Sequence, residues 1–199
     1  MDQSVKDALA RWPDVPAVYG WLSLDARGRW RLHPQGQSAQ GGPGESITNS
    51  QILEFINRNY EHDEAGRWYF QNGPQRVFLR LDAAPYTLRL SDDNRSLLTH
   101  TNAVIDTVEA WKLDDAGQLY AMTSLGAGIV LDRDLPPLLE KLATDSGAPL
   151  LDALADLPRG GTIQAAFPGA YPAAPLSLIA QENVAQELGF DPDPRPQAA

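Results

Sequence analysis

"DEAGRWYFQNGPQRVFLRL", residues Asp63 to Leu81, is the stretch from which the fold is read. Asp63 to Gly66 has turn composition, because Asp bonds its own backbone two residues on and Gly accepts positive φ. The aromatic run Trp68-Tyr69-Phe70 follows, then a second turn at Asn72-Gly73-Pro74, then the alternating segment Arg76 to Leu81. Two β-rich runs bounded by turn residues predict a hairpin. Side chains alternate across a strand, so Val77, Leu79 and Leu81 share one face. Arg76, Phe78 and Arg80 share the other; Tyr69 is their candidate partner across the hairpin, in a register that the sequence does not fix.

Upstream, "AVYGWLSL" (Ala17 to Leu24) and "RWRLH" (Arg29 to His33) flank Asp25-Ala26-Arg27-Gly28, a partial copy of the Asp63 turn. A fainter copy stands at Asp114-Asp115-Ala116-Gly117. The unequal spacing excludes a solenoid. Turn chemistry selects Asp and Gly independently each time, and this accounts for the recurrence; a duplicated sheet-forming unit is the alternative. Between the first two copies, Thr48 and Gln51 read as a capping box, with Ile47 and Ile52 as its staple. Ile52, Leu53, Ile56 and Tyr60 then form the apolar stripe of a helix that needs a sheet to cover.

Downstream, "YTLRL", "RSLLTHT", "TVEAWKL", "QLYAMTS" and "GAGIVLD" continue the strand pattern. A helix is expected after Asp134, with Pro136 and Pro137 in its first turn, where missing amides cost little. "PLLDALADL" reads as another short helix. Residues 158–175 are rich in Pro, Gly and Ala and read as extended and non-regular. Leu176 to Leu188 reads as a helix stopped by Gly189, and the Pro-rich end from Asp191 reads as disordered.

The expected fold class is therefore α+β, with curved antiparallel sheets and a covering helix. One domain spanning 1–157 is expected, with division into two related sheet-based subdomains (14–90 and 91–157) as the alternative, followed by a C-terminal arm at 158–199 with a helix at 176–188.

The chain has 199 residues, a formal net charge of −10 and no cysteine. Its length suffices for a core without covalent staples. The missing cysteines remove disulfides, thiolate nucleophiles and Cys-based metal sites. The acidity argues against binding nucleic acid, which requires phosphate neutralisation, and against docking on anionic lipid. No apolar run approaches the length of a membrane span, and the N-terminus lacks a signal-peptide pattern. A cytoplasmic location is expected.

Motifs of catalysis are sparse. His33, His62 and His100 are scattered, and Glu61-His62-Asp63-Glu64 is one local cluster where metal sites need convergent ligands. There is no nucleophile elbow, and Gly126-Ala127-Gly128 precedes a strand where a dinucleotide fingerprint enters a helix. No cofactor and no metal are expected.

The candidate ligand surface is Tyr69, Arg76, Phe78 and Arg80: guanidinium forks beside an aromatic floor suit a small anionic ligand. Against it stands pairing of both Arg side chains with the abundant acids. Of the five Trp residues most are expected in the core, with one or two lining a pocket.

The run from Gly20 to Leu135, and above all Arg58 to Leu90, resembles uncharacterised bacterial families of unknown function. The shared features are Gly28-Arg29-Trp30, the helix "ILEFINRNY", the Asp63-x-x-Gly66 turn with its aromatic strand, and "RVFLRLDAAPYTLRL". The resemblance implies an α+β fold with a repeated sheet-based motif, and suggests ligand binding or signalling without identified catalytic residues.

The leading expectation is a non-enzymatic small-ligand-binding or regulatory protein. One alternative is a hydrolase or isomerase using carboxylates with His62 or His100. The other is an assembly protein that forms a homodimer through its C-terminal arm.

Overall fold

A computed structural model of the chain describes residues 1–158 and 160–196. Mixed α and β structure is divided between two compact units, the first formed by Met1–Pro85 with the tail from Gly189, the second by Tyr86–Leu188.

The first unit holds helix α1 (Gln3–Arg11), strands β1 (Val18–Leu24), β2 (Trp30–Leu32) and β3 (Glu45–Ser46), helix α2 (Ser50–Arg58), and strands β4 (Tyr60–His62), β5 (Trp68–Asn72) and β6 (Gln75–Leu81). They form a six-stranded sheet in the order β3-β2-β1-β6-β5-β4. All neighbours are antiparallel except the central pair β1 and β6, which run parallel. Leu22, Leu24, Ile56, Phe70, Val77 and Leu79 are buried. Each such side chain contributes about 1.5–3 kcal/mol by leaving water.

The second unit holds β7 (Tyr86–Leu90), β8 (Leu97–Thr99), β9 (Val108–Asp114), β10 (Leu119–Thr123), β11 (Gly126–Val130), α3 (Leu135–Lys141), β12 (Ala143–Thr144), α4 (Leu150–Ala155), β13 (Thr162–Phe167), β14 (Tyr171–Ile179) and α5 (Val184–Glu187). Its eight-stranded sheet has the order β12-β13-β14-β9-β10-β11-β7-β8. Trp111, Leu119, Leu138, Leu150 and Leu176 are buried. Tyr171 ties strands together from inside: its hydroxyl accepts from the Leu97 amide at 2.7 Å and donates to the Ile105 carbonyl at 3.1 Å.

The recurrent Asp turn is one physical object. Asp25, Asp63 and Asp114 each accept the amides two and four residues on through Oδ1. In each, the amide of the fourth residue, Gly28, Gly66 or Gly117, donates to the Asp carbonyl. Those glycines sit at φ of +74°, +72° and +81°, where a Cβ is disfavoured. The turns join β1 to β2, β4 to β5 and β9 to β10. Thr99 and Thr144 build the same closure with a hydroxyl in place of the carboxylate.

Burial pushes the Asp25 and Asp63 carboxyls up, but the amides and guanidinium groups around them outweigh it, and both lie below the ordinary carboxylate value.

Three local expectations are corrected. The N-cap of α2 is Asn49, whose Oδ1 accepts the Ile52 amide at 3.1 Å, and Thr48 lies outside the helix. Within 158–175, Thr162–Phe167 and the residues from Tyr171 are regular strand, and 176–188 is not one helix. β13 and β14 pair antiparallel, and β14 runs parallel to β9 with Leu176 opposite Trp111. Burial of Ala165, Phe167, Ala174 and Leu176 in the sheet overrides the helical spacing of the later residues; only Val184–Glu187 is α-helical.

The expected disordered end is docked where it is described. The Asp191 amide donates to the Gly66 carbonyl at 2.9 Å, Pro192 accepts the Leu81 amide at 2.8 Å, and Phe190 and Pro194 are buried. Residues 197–199 of that expectation lie outside the described residues.

Candidate functional site

The first unit's sheet has an irregularity at its centre. Val18 pairs with Val77 and Leu22 with Leu79, so β1 places three residues where β6 places only Phe78. Gly20 makes the bulge possible: its φ is +83°, and a Cβ there would stand 2.3 Å from the Gly36 carbonyl oxygen. Bulges re-aim side chains. Here Val18, Trp21 and Leu22 all face one cavity, while Tyr19 stacks on Phe78 with ring centroids 4.9 Å apart.

That cavity has a volume of about 810 Å³. Ile52, Phe55 and Ile56 of α2 bound it, together with Phe70 of β5, Val77 of β6 and Leu32 of β2. The walls are apolar yet reach solvent: Ile52 is 49% exposed, Trp21 42% and Leu32 37%. Holding apolar groups in water costs stability, and contiguous apolar surface of this kind marks interaction sites.

Glu45, Ser46, Thr48, Asn49, Asn72 and Gln75 supply the polar lining. Three of these are committed: Ser46 Oγ accepts from Arg31, Asn49 caps the helix, and the Gln75 amide donates to the Pro16 carbonyl at 3.1 Å. Glu45 is the one ionisable lining residue, and it has no ion pair among the described residues.

The residues singled out in sequence divide. Tyr69 and Phe78 face each other across β5 and β6 and are buried, their rings edge-to-face at 5.6 Å. Arg76 is exposed, with its guanidinium 4.8 Å from the Tyr69 ring centre. Arg67 stands 5.0 Å from the Phe78 ring and is held by Asp63 at 2.7 Å. Arg67, Arg76 and Phe78 edge a second, smaller cavity of about 440 Å³, with Tyr19 and residues of the segment from Leu9 to Ala17, while Tyr69 is not in its lining. Burial raises the Tyr69 phenol, and nearby Arg76 opposes it.

Arg80 is not brought to that cavity. Its guanidinium donates to the carbonyls of Ser38 and Gly42 and pairs with Asp82, pinning the loop before β3.

The histidines are apart. His62 is exposed at the end of β4, with Nδ1 3.0 Å from the Asp63 carbonyl. His33 is buried with Nε2 2.9 Å from Ser23 Oγ. Nδ1 of His100 accepts a long bond, 3.4 Å, from the Thr87 amide, and burial pushes this imidazole down to about 3. Among the described residues no cluster of three or more His, Asp or Glu is arranged to hold a metal ion. No helix among them is long and apolar enough to cross a membrane.

Sequence reasoning missed Trp21, Leu32, Ile52 and Phe55 as one surface. The available signal was Gly20 inside an aromatic strand, which marks a bulge or close backbone approach.

Residues 1–195 match the model of the DUF2944 family, whose description reads "Protein of unknown function (DUF2946)". Among solved structures, a DUF1285 family protein from Silicibacter pomeroyi is 13% identical with a TM-score of 0.49, the match covering 79% of this chain and 81% of that one. A second DUF1285 family protein, from Shewanella baltica, is 14% identical with a TM-score of 0.40, covering 57% of this chain and 86% of that one. A search of curated proteins finds no match. The chain belongs to the DUF2944 family, a family of unknown function.

Proposed function

We propose that the first unit is a small-ligand-binding module whose site is the apolar cavity between α2 and the sheet. The observation that carries this reading is the convergence of three partly exposed apolar side chains, Trp21, Leu32 and Ile52, on one cavity of about 810 Å³. That volume lies within the range of small-molecule sites, roughly 300–1,000 Å³, and such sites are lined by apolar and aromatic groups with a few polar ones. The lining holds one ionisable side chain, Glu45, which suits recognition better than acid–base turnover needing matched groups.

The test is titration with an environment-sensitive apolar dye, comparing the parent chain with Ile52→Asp. Ile52 is 49% exposed, so the substitution spares the fold. A charge among the apolar walls should weaken dye binding at least about ten-fold, since seating it costs more than ~1.4 kcal/mol. Equal binding by both proteins dismisses the site.

A second reading places a small anionic ligand at Tyr69, Arg76 and Phe78. It is favoured by one observation: Arg76 has no carboxylate partner among the described residues, while Arg67 and Arg80 have theirs. Arg76→Ala should then abolish retention of an aryl phosphate that the parent protein binds. Undiminished binding ends this reading.

A further inference from the structure

The chemistry at the edge of the larger cavity narrows what can enter it. Glu45 lies on β3, an outer strand of the sheet, directly opposite Leu32 of β2. Its neighbour across the same pair of strands is Arg31, opposite Ser46. That cation is already engaged: Arg31 is paired with Asp25 at 2.9 Å and donates to Ser46 Oγ. Among the described residues, the only formal charge contributed by the cavity lining is therefore the Glu45 carboxylate.

Trp21 stands in the same lining with 42% of its surface exposed. An indole face attracts cations through its quadrupole, most strongly among the aromatic side chains. The chain as a whole carries a net charge of −10, which repels anions and draws cations toward it.

From these observations we infer that the cavity takes an amphiphilic organic cation: an apolar alkyl or aryl body lying against Leu22, Phe55 and Val77, with an ammonium head at Glu45 and Trp21. This rests on the binding reading above and adds the sign of the head group to it. Carboxylate amphiphiles such as fatty acids are disfavoured, because their head would meet Glu45 with no cation among the lining residues to offset it. A small molecule is the occupant the space suits, since the volume lies in the small-molecule range.

The experiment is a calorimetric titration with three probes of one chain length, decylammonium, decanol and decanoate, each kept below its micelle concentration. Parent protein, Glu45→Gln and Ile52→Asp are compared. Decylammonium should bind most tightly and decanoate most weakly. Glu45→Gln should weaken decylammonium up to about five-fold and leave decanol unchanged, as for a partly exposed charge pair.

If all three probes bind alike and Glu45→Gln changes none of them, the cation preference is overturned while the apolar site stands. Tightest binding of decanoate overturns it as well. If no probe binds, or Ile52→Asp binds every probe as the parent does, the site itself falls and the inference with it.

Discussion

Two tryptophans show how differently the two units use their apolar side chains. Trp111 lies at the centre of the second unit's sheet, fully buried and paired with Ala121 on one side and Leu176 on the other. Trp21 lies on a central strand of the first unit's sheet and is 42% exposed. Both units are closed by the same Asp turn, so the turn does not make the difference. The difference lies in the elements packed beside each tryptophan's strand. The second unit lays β13 and β14 beside β9, and Trp111, Leu119 and Leu176 are fully buried there. The first bends β1 at Gly20 and covers its sheet with a nine-residue helix whose Ile52 stays half in solvent. Trp111 is committed to a core, whereas Trp21 stands on a cavity wall.

The most forceful challenge to that contrast is to truncate each indole. Trp111→Ala should cost about 3–5 kcal/mol, as a large side chain removed from a packed core. Trp21→Ala should cost about 1 kcal/mol or less, since much of its surface is already wet. Denaturant unfolding of both variants measures this, and equal losses would mean that Trp21 is a core residue like the other.

A smaller effect tests whether the first unit depends on the end of the chain. Deleting residues from Gly189 onward removes the Asp191–Gly66 and Pro192–Leu81 backbone bonds and uncovers Phe190's site. The loss should be about 2–4 kcal/mol, most of it from the phenylalanine and the orphaned Leu81 amide. In hydrogen exchange the deletion should loosen β5 and β6. Unaltered protection of those strands would show that the tail contributes nothing to them.

The smallest effect is in pH. Both units bury a histidine in its neutral form, His100 held down to about 3 by burial and His33 lowered by burial and then by Arg80. The unfolded chain protonates these side chains near 6.5. Below that value the unfolded state binds more protons than the folded one. Stability is thus fully present above pH 6.5 and is lost as pH falls, by up to about 1.4 kcal/mol per pH unit for His100. The paired carboxylates Asp25 and Asp63 act lower, because their folded values lie below 3.8. His100→Gln should therefore flatten the stability profile between about pH 6.5 and 4.5 in urea titrations. A profile as steep as the parent's would show that His100 is not held neutral.

Much of the fold could be read from local chemistry. Asp63, Gly66 and Gly73 announce their turns, period-2 alternation announces β6, and Pro136 and Pro137 mark the start of α3. What could not be read is non-local. β14 is a strand because Trp111, sixty-five positions before Leu176, offers it a partner, and nothing in "LSLIAQENVAQEL" discloses that. Leu176, Ala180, Val184 and Leu188 have helical spacing, but the backbone of the first was already satisfied by β9.

The candidate site was legible in the same uneven way. That Arg76 and Phe78 share a face follows from strand alternation, whereas the register that sets Tyr69 opposite Phe78 does not. Arg80 shares that face by the same rule, yet the loop carbonyls of Ser38 and Gly42 take its donors. The larger cavity was hidden because its walls come from β1, β2 and α2, far apart in the chain, and because the bulge at Gly20 turns Trp21 onto the face that simple alternation assigns to Val18 and Leu22. Asn49 as the true cap also moves the helix start one residue on, with Ile47 and Ile52 both lining the cavity.

Whether the space beneath α2 is a ligand site decides the functional reading. Titrating decylammonium into isotopically labelled protein and mapping the shifted NMR resonances addresses it without assuming where the probe goes. The largest shifts should fall on the Trp21 indole and on Leu32, Ile52 and Phe55. Shifts centred on Tyr69 and Arg76, shifts confined to the second unit, or no shifts at saturating probe would contradict a site beneath α2.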